Sequence, residues 1–158
     1  MIAQVQGHAL AGGCGLATVC DFVFAAPEAR FGYTEVKIGF IPAIVMVFLT
    51  RKVGEGKAKQ LLLSGSWISA HEAKALEMVN GVIGKDRLAE EVRIFARQLV
   101  ESNSGYSMSV TKQMMAKIPS LPLDEALTFA AEMNAKARGS DDCKKGIDAF
   151  LKGEKIRW

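Results

Sequence analysis

A run of glycines set into apolar sequence limits what this chain can fold into more than any other feature. Ile2, Val5, Ala9 and Leu10 give Met1 to Leu10 the character of a buried strand. That strand leads into Ala11-Gly12-Gly13-Cys14-Gly15 and then Leu16-Ala17-Thr18-Val19-Cys20. The order predicts a strand, a glycine turn and a short helix. At such a junction the first helical N–H groups have no internal partner and the helix dipole is positive. An oxyanion developing on a carbonyl is stabilised there. Gly12 is the donor this reading selects.

A second β-type run, Asp21 to Ala26, follows, then the turn-like Pro27-Glu28-Ala29-Arg30 and the segment Phe31 to Gly39. One acid, Glu35, stands in that segment, one strand away from the glycine turn. Most carboxylates simply face water. A carboxylate held between Phe31-Gly32 and Ile38-Gly39-Phe40 is instead placed to move a proton.

These motifs, in this order, resemble the crotonase or enoyl-CoA hydratase/isomerase superfamily over essentially the whole chain. The resemblance rests on Val5-Gln6-Gly7-His8-Ala9-Leu10-Ala11-Gly12-Gly13-Cys14-Gly15, on Cys20-Asp21, and on Phe31-Gly32-Tyr33-Thr34-Glu35 running to Gly39-Phe40-Ile41-Pro42. Ile68-Ser69-Ala70-His71-Glu72-Ala73 and Gly146 to Leu151 extend it toward the C-terminus. It implies an α/β fold of the ClpP/crotonase spiral type, truncated to its last ββα turns plus the C-terminal helical trimerisation region. Residues 1–50 would be the partial spiral core, and 51–158 the helical region of the same domain. It further implies an acyl-CoA substrate with no metal or redox cofactor. Catalysis would fall to Gly12 and Glu35, and substrate contacts to Gly13, Gly15 and Pro42. The assembly implied is a homotrimer or hexamer, in which Lys152 or Lys155 faces a CoA phosphate. Lysines near a helix C-terminus also complement its dipole, and that local reading is preferred for these two.

Two departures from the family pattern matter. Hydratases of the family hold water between two glutamates, and the first of these maps to Gly15. Only the second, Glu35, is present, a pattern that resembles the family's double-bond isomerases. The family's subunits also carry further residues ahead of the strand that opens this chain, including the loop that gives the other oxyanion N–H. Removing one such donor commonly costs about 100-fold or more in rate. The competing reading is therefore a silent oligomerisation or CoA-binding module.

Other signals bound the rest. The chain has 158 residues and 49% hydrophobic content, enough to bury a core. A net charge of +3 with mixed signs is no nucleic-acid footprint. Cys14, Cys20 and Cys143 lack metal spacing and no secretory leader is recognisable, so they read as reduced thiols in a cytoplasmic protein. Cys14 reads as a packing residue, and neither His8 nor His71 reads as catalytic. The apolar run Phe40 to Leu49 is too short to span a bilayer, for which about 20 residues are needed, and reads as a buried helix lining the acyl pocket or core. Beyond it, helices are expected over Gly54 to Leu63, Ala73 to Met78 with a Ser69 capping box, Asp86 to Val100, Ser107 to Lys117, Asp124 to Ala137, and from Ser140 on. A short strand is expected at Val79 to Ile83.

Overall fold

A computed structural model describes all of residues 1–158, which form two compact units, Met1–Ile94 and Phe95–Trp158. The helix just after residue 50 places Ala58, Leu61 and Leu62 in the same core as the strand residues Val23, Ala25 and Phe31.

In the first unit, β1 (Ile2–Val5) and β2 (Ala9–Leu10) precede α1 (Gly12–Val19), followed by β3 (Phe22–Ala25) and β4 (Arg30–Gly32). The single strand expected over Met1 to Leu10 is thus two. The exposed Gln6-Gly7-His8 corner turns the chain between them, so that they enter different sheets. β1 runs parallel to β3 with Ile2 opposite Phe22, and β2 runs parallel to β4 with Ala9 opposite Phe31. Like strands of successive ββ units stack on each other, which makes a coil of short parallel ladders rather than one flat sheet.

A 3-10 turn (Glu35–Ile38), α2 (Ala43–Val53), α3 (Glu55–Ser64), β5 (Ile68–Ser69), α4 (Ala70–Ala75) and β6 (Gly81–Val82) complete this unit, together with the start of α5 (Lys85–Ser102). β5 closes one sheet antiparallel to β4, and β6 closes the other parallel to β3. The expected strand at Val79 to Ile83 is present but shorter. Asn80 ties its start to β3, accepting from Val23 N–H through its side chain at 2.7 Å while its own N–H donates to the Val23 carbonyl at 2.8 Å. The Ser69 capping box forms as expected: Ser69 accepts from Glu72 N–H and the Glu72 carboxylate accepts from Ser69 N–H.

The core of this unit gathers Cys14, Val23, Ala25, Phe31, Tyr33, Leu49, Ala58 and Leu61. α2 meets it along one narrow stripe, Val45, Leu49 and Val53, spaced four apart. The helix expected to be buried therefore shows its other side. Ile44, Val47 and Phe48 are exposed, as are Phe40 and Ile41 before them.

The second unit holds the rest of α5, α6 (Gly105–Lys117), a 3-10 turn (Ile118–Ser120), α7 (Leu123–Arg138) and α8 (Asp141–Lys152). Serine caps set the starts of two of these helices. Ser104 accepts from Ser107 N–H at 2.9 Å, and Ser140 accepts from Cys143 N–H at 3.2 Å. Ser104 also donates to the Asp142 carboxylate at 2.5 Å. No residue of α6 or α7 is fully buried, and Leu123, Leu127, Phe150 and Leu151 are exposed.

Candidate active site

Gly12 follows β2 by two residues, and Glu35 follows β4 by three. Since β2 and β4 are parallel neighbours, both residues lie just past the carboxyl ends of adjacent strands, where open α/β folds commonly bind ligands. Ala11 N–H donates to the Gly32 carbonyl at 2.8 Å and carries the β2–β4 ladder one step further. The chain then swings abruptly into α1. Ala11 takes φ 48° and ψ −124°, a conformation suited to glycine and costing about 1–3 kcal/mol in other residues.

The glycine run is not a separate turn before the helix, as the sequence suggested; it is the first turn of α1. The first intrahelical bond runs from Gly15 N–H to the Ala11 carbonyl at 3.0 Å, so the N–H groups of Gly12, Gly13 and Cys14 precede it. Gly12 and Gly13 are exposed, and a Cβ added to either would enter open space. Nothing packed against these two requires glycine. Their bareness leaves the backbone donors open to a ligand oxygen.

Gly15 differs from them. It is buried, and a Cβ there would lie 2.6 Å from Val45 Cγ2. This glycine is a packing residue on α1, not an open donor. Pro42 is buried at the start of α2, where its carbonyl accepts from Met46 N–H at 2.9 Å. It shapes the helix entry.

Glu35 opens the 3-10 turn and is 8% exposed, and no group of the protein hydrogen-bonds its Oε2. Buried carboxylate oxygens are ordinarily partnered, and leaving one without a partner costs about 1–3 kcal/mol or more. A group kept in that state is available to something that enters the site.

Beneath Glu35 lies a buried polar chain that the sequence reading did not find. The Thr18 hydroxyl donates to the Cys14 carbonyl at 2.9 Å, and its oxygen lies 2.5 Å from the Tyr33 hydroxyl. With the threonine proton already committed, Tyr33 is the donor in the second bond. Tyr33 is two residues before Glu35, and Thr18 is one turn along α1 from Cys14. The bond therefore joins the segment carrying the carboxylate to the helix carrying the glycines. The signal was available: a tyrosine inside an apolar run, and Cys14 and Thr18 spaced four apart on one helix face.

Burial pushes the Cys14 thiol up to about 11, only partly opposed by the neighbouring polar groups of Tyr33 and the Gly32 backbone. Burial likewise pushes the Tyr33 hydroxyl well above its ordinary range. Both stay protonated and neutral at physiological pH, so Cys14 is no thiolate nucleophile. At the far end of α1, the Lys52 ammonium donates to the Thr18 and Cys20 carbonyls, each at 3.1 Å. It satisfies helix-end acceptors and complements the dipole there, while its own burial pulls its pKa down.

Among the other residues singled out from the sequence, His8 is exposed and packs its ring at a tilt against Trp67, with 5.6 Å between centroids. His71 is exposed on α4. Lys152 is the last residue of α8 and Lys155 lies in the exposed tail beyond it. Both belong to the second unit, whereas Gly12, Gly13, Gly15, Glu35 and Pro42 belong to the first. No group of three or more His, Cys, Asp or Glu side chains is placed to hold a metal ion, and no helix is long and apolar enough to cross a membrane.

Comparison with known proteins identifies the family. The sequence profile of the family described as enoyl-CoA hydratase/isomerase matches residues 1–158. A Thermus thermophilus chain with an enoyl-CoA hydratase designation is 45% identical over 150 residues, 95% of this chain and 59% of its own length. The crotonyl-CoA hydratase of Syntrophomonas wolfei is 36% identical over 159 residues, covering 100% of this chain and 61% of its own length. Among solved structures, an enoyl-CoA hydratase from Mycobacterium smegmatis superposes with a TM-score of 0.91 at 28% identity, over 99% of this chain and 61% of that one. This chain thus spans about three fifths of the length of the relatives it matches. It belongs to the enoyl-CoA hydratase/isomerase family, within the crotonase superfamily, and has that superfamily's α/β fold.

Proposed function

We propose that this chain contributes the proton-transfer half of an enoyl-CoA site, and that the reaction is movement of a double bond in preference to addition of water. The observation that carries the reading is Glu35 Oε2, buried and without a protein partner, one parallel strand from the open N–H of Gly12. A thioester carbonyl resting on the Gly12 N–H gains stabilisation as negative charge develops on its oxygen. That charge makes the hydrogens on the neighbouring carbon acidic enough for a carboxylate to take one. Glu35 accepts the proton as an enolate forms and returns it to a carbon of the extended system. Gly13 extends the rim of open backbone donors, and Pro42 sets the start of the helix beside it. The chemistry calls for no metal or redox cofactor, since the electron pair never leaves the substrate.

A second oxyanion donor, implied by the family pattern, is part of the same reading. The exposed Leu123, Leu127, Phe150 and Leu151 of the second unit support assembly with further copies, as a homotrimer or hexamer. A cytoplasmic setting and an acyl-CoA partner belong to the same reading, the latter in keeping with relatives such as the crotonyl-CoA hydratase. Nothing in the comparisons favours the silent-module reading.

The test is turnover of 2-enoyl-CoA and 3-enoyl-CoA thioesters by this chain and by Glu35→Gln, with mass in solution measured alongside. Conversion of the 3-enoyl to the 2-enoyl thioester that disappears in Glu35→Gln supports the reading. A folded assembly inert toward both thioesters overturns it.

A further inference from the structure

The three glycines of α1 are glycine for different reasons, and the third reason points to Val45. Added Cβ atoms on Gly12 and Gly13 meet nothing within 4 Å. On Gly15 the added atom meets Val45 Cγ2 at 2.6 Å, Cγ1 at 3.4 Å and Cβ at 3.6 Å, and all of these contacts come from one side chain. A branched residue in a helix is confined almost entirely to one χ1 rotamer, so Val45 has no low-energy way to swing aside. It is also anchored, since it packs against the buried core on the same α2 stripe as Leu49 and Val53. Gly15 shares α1 with Gly12 and Gly13, one turn along from the open donors.

We propose that Val45 determines which reaction the site performs: its side chain takes the volume that a side chain on residue 15 would need, and so bars a second acid from that position. The inference rests on the enoyl-CoA reading above. With Glu35 alone, the balanced step is a proton relay. A C–H bond beside the carbonyl breaks, its proton goes to Glu35, the electron pair spreads over the carbonyl and the alkene, and the same proton returns at the far carbon of the shifted double bond. Hydration needs a second base as well, to take a proton from water while the new C–O bond forms and the neighbouring carbon is protonated. Val45 offers no such group and leaves no room for one at residue 15.

Two linked measurements test this. Thermal unfolding is compared for Gly15→Ala, Val45→Ala and the double variant. Replacing a helical glycine with alanine ordinarily stabilises. Here Gly15→Ala is expected to lower Tm by about 2–10 °C when Val45 is present, because the site is overpacked. In the Val45→Ala background the same change is expected to raise Tm. That reversal of sign is the signature of the contact, and it is read without any activity. Gly15→Glu and the Gly15→Glu/Val45→Ala pair are then assayed for 3-hydroxyacyl-CoA formed from a 2-enoyl-CoA. Hydration is expected at least 10-fold faster in the pair than in Gly15→Glu.

Gly15→Ala raising Tm in the presence of Val45 would overturn the proposal, and so would measurable hydration by Gly15→Glu at a rate equal to that of the pair. Sign reversal in a chain inert toward every thioester would support the exclusion of side chains by Val45 and would overturn the enzyme reading instead.

Discussion

The bond between Thr18 and Tyr33 lends itself to a sharp energetic prediction, because the two partners are not equivalent. Thr18 spends its one proton on the Cys14 carbonyl, so its oxygen accepts from Tyr33. Tyr33→Phe removes a donor and leaves Thr18 still bonded to Cys14. The expected loss is that of an ordinary buried hydrogen bond, about 1 kcal/mol. Thr18→Val keeps the shape but strands the hydroxyl of a tyrosine that is 1% exposed, with only the weak acceptor sulfur of Cys14 nearby. A buried donor left in that way adds its desolvation cost, for a total of about 2–3 kcal/mol. The double variant, lacking both partners, is expected to be no less stable than Thr18→Val alone, a coupling of about 1 kcal/mol or more. Urea denaturation of the four proteins, with slopes compared to confirm a common unfolding transition, gives all these values. A larger loss in Tyr33→Phe than in Thr18→Val, or simple additivity, would refute the assignment of donor and acceptor and with it the clamp between α1 and the Glu35 segment.

Three further outcomes follow from the same geometry. Glu35→Leu removes a buried oxygen that has no partner, and is expected to raise stability by about 1 kcal/mol while abolishing thioester turnover; a destabilised variant would show that Glu35 is held by contacts other than those described. Ala11→Gly, ordinarily a destabilising change, is expected to raise stability by about 1 kcal/mol, since Ala11 sits at φ 48°, and a fall in thermal unfolding temperature would argue against strain there. Alkaline stability is expected to fall between about pH 9 and pH 11. The Cys14 thiol is raised from 9.0 to about 11 in the fold, so the unfolded chain releases its proton first, and the stabilising contribution, complete below pH 9, drains away as pH rises through that window. The span corresponds to about 2–3 kcal/mol, and Cys14→Ala should remove the part of the decline that begins at pH 9, as read by urea titration across the range.

How far the site was legible in the sequence depended on whether its cause was local. The placement of Gly12 and Glu35 one strand apart was readable, because each follows directly on a short apolar strand and the two strands pair in parallel. The serine caps at Ser69 and Ser140 were readable for the same reason, each being settled within three residues. The break of Met1 to Leu10 into two strands was not, because the corner at Gln6-Gly7-His8 is decided by which sheet each half joins. Nor was the role of Gly15, which depends on Val45 thirty residues away. The apolar stretch from Phe40 to Leu49 looked uniformly like core, but only the side bearing Val45 and Leu49 meets this chain's own core. Hydropathy records that a helix is apolar all round, not which sides are covered by what. Tyr33 and Thr18 were legible separately and became a pair only through the register of β2 with β4.

The central claim is that the open N–H of Gly12 and the unpartnered carboxylate of Glu35 together ionise a carbon beside a thioester carbonyl. Incorporation of deuterium at that carbon tests it most directly, with a saturated acyl-CoA incubated with the chain in D2O and followed by mass spectrometry, since exchange requires the enolate but no later step. The account predicts exchange that depends on this chain and is lost in Glu35→Gln. No exchange by the folded assembly, or exchange undiminished in Glu35→Gln, would contradict it.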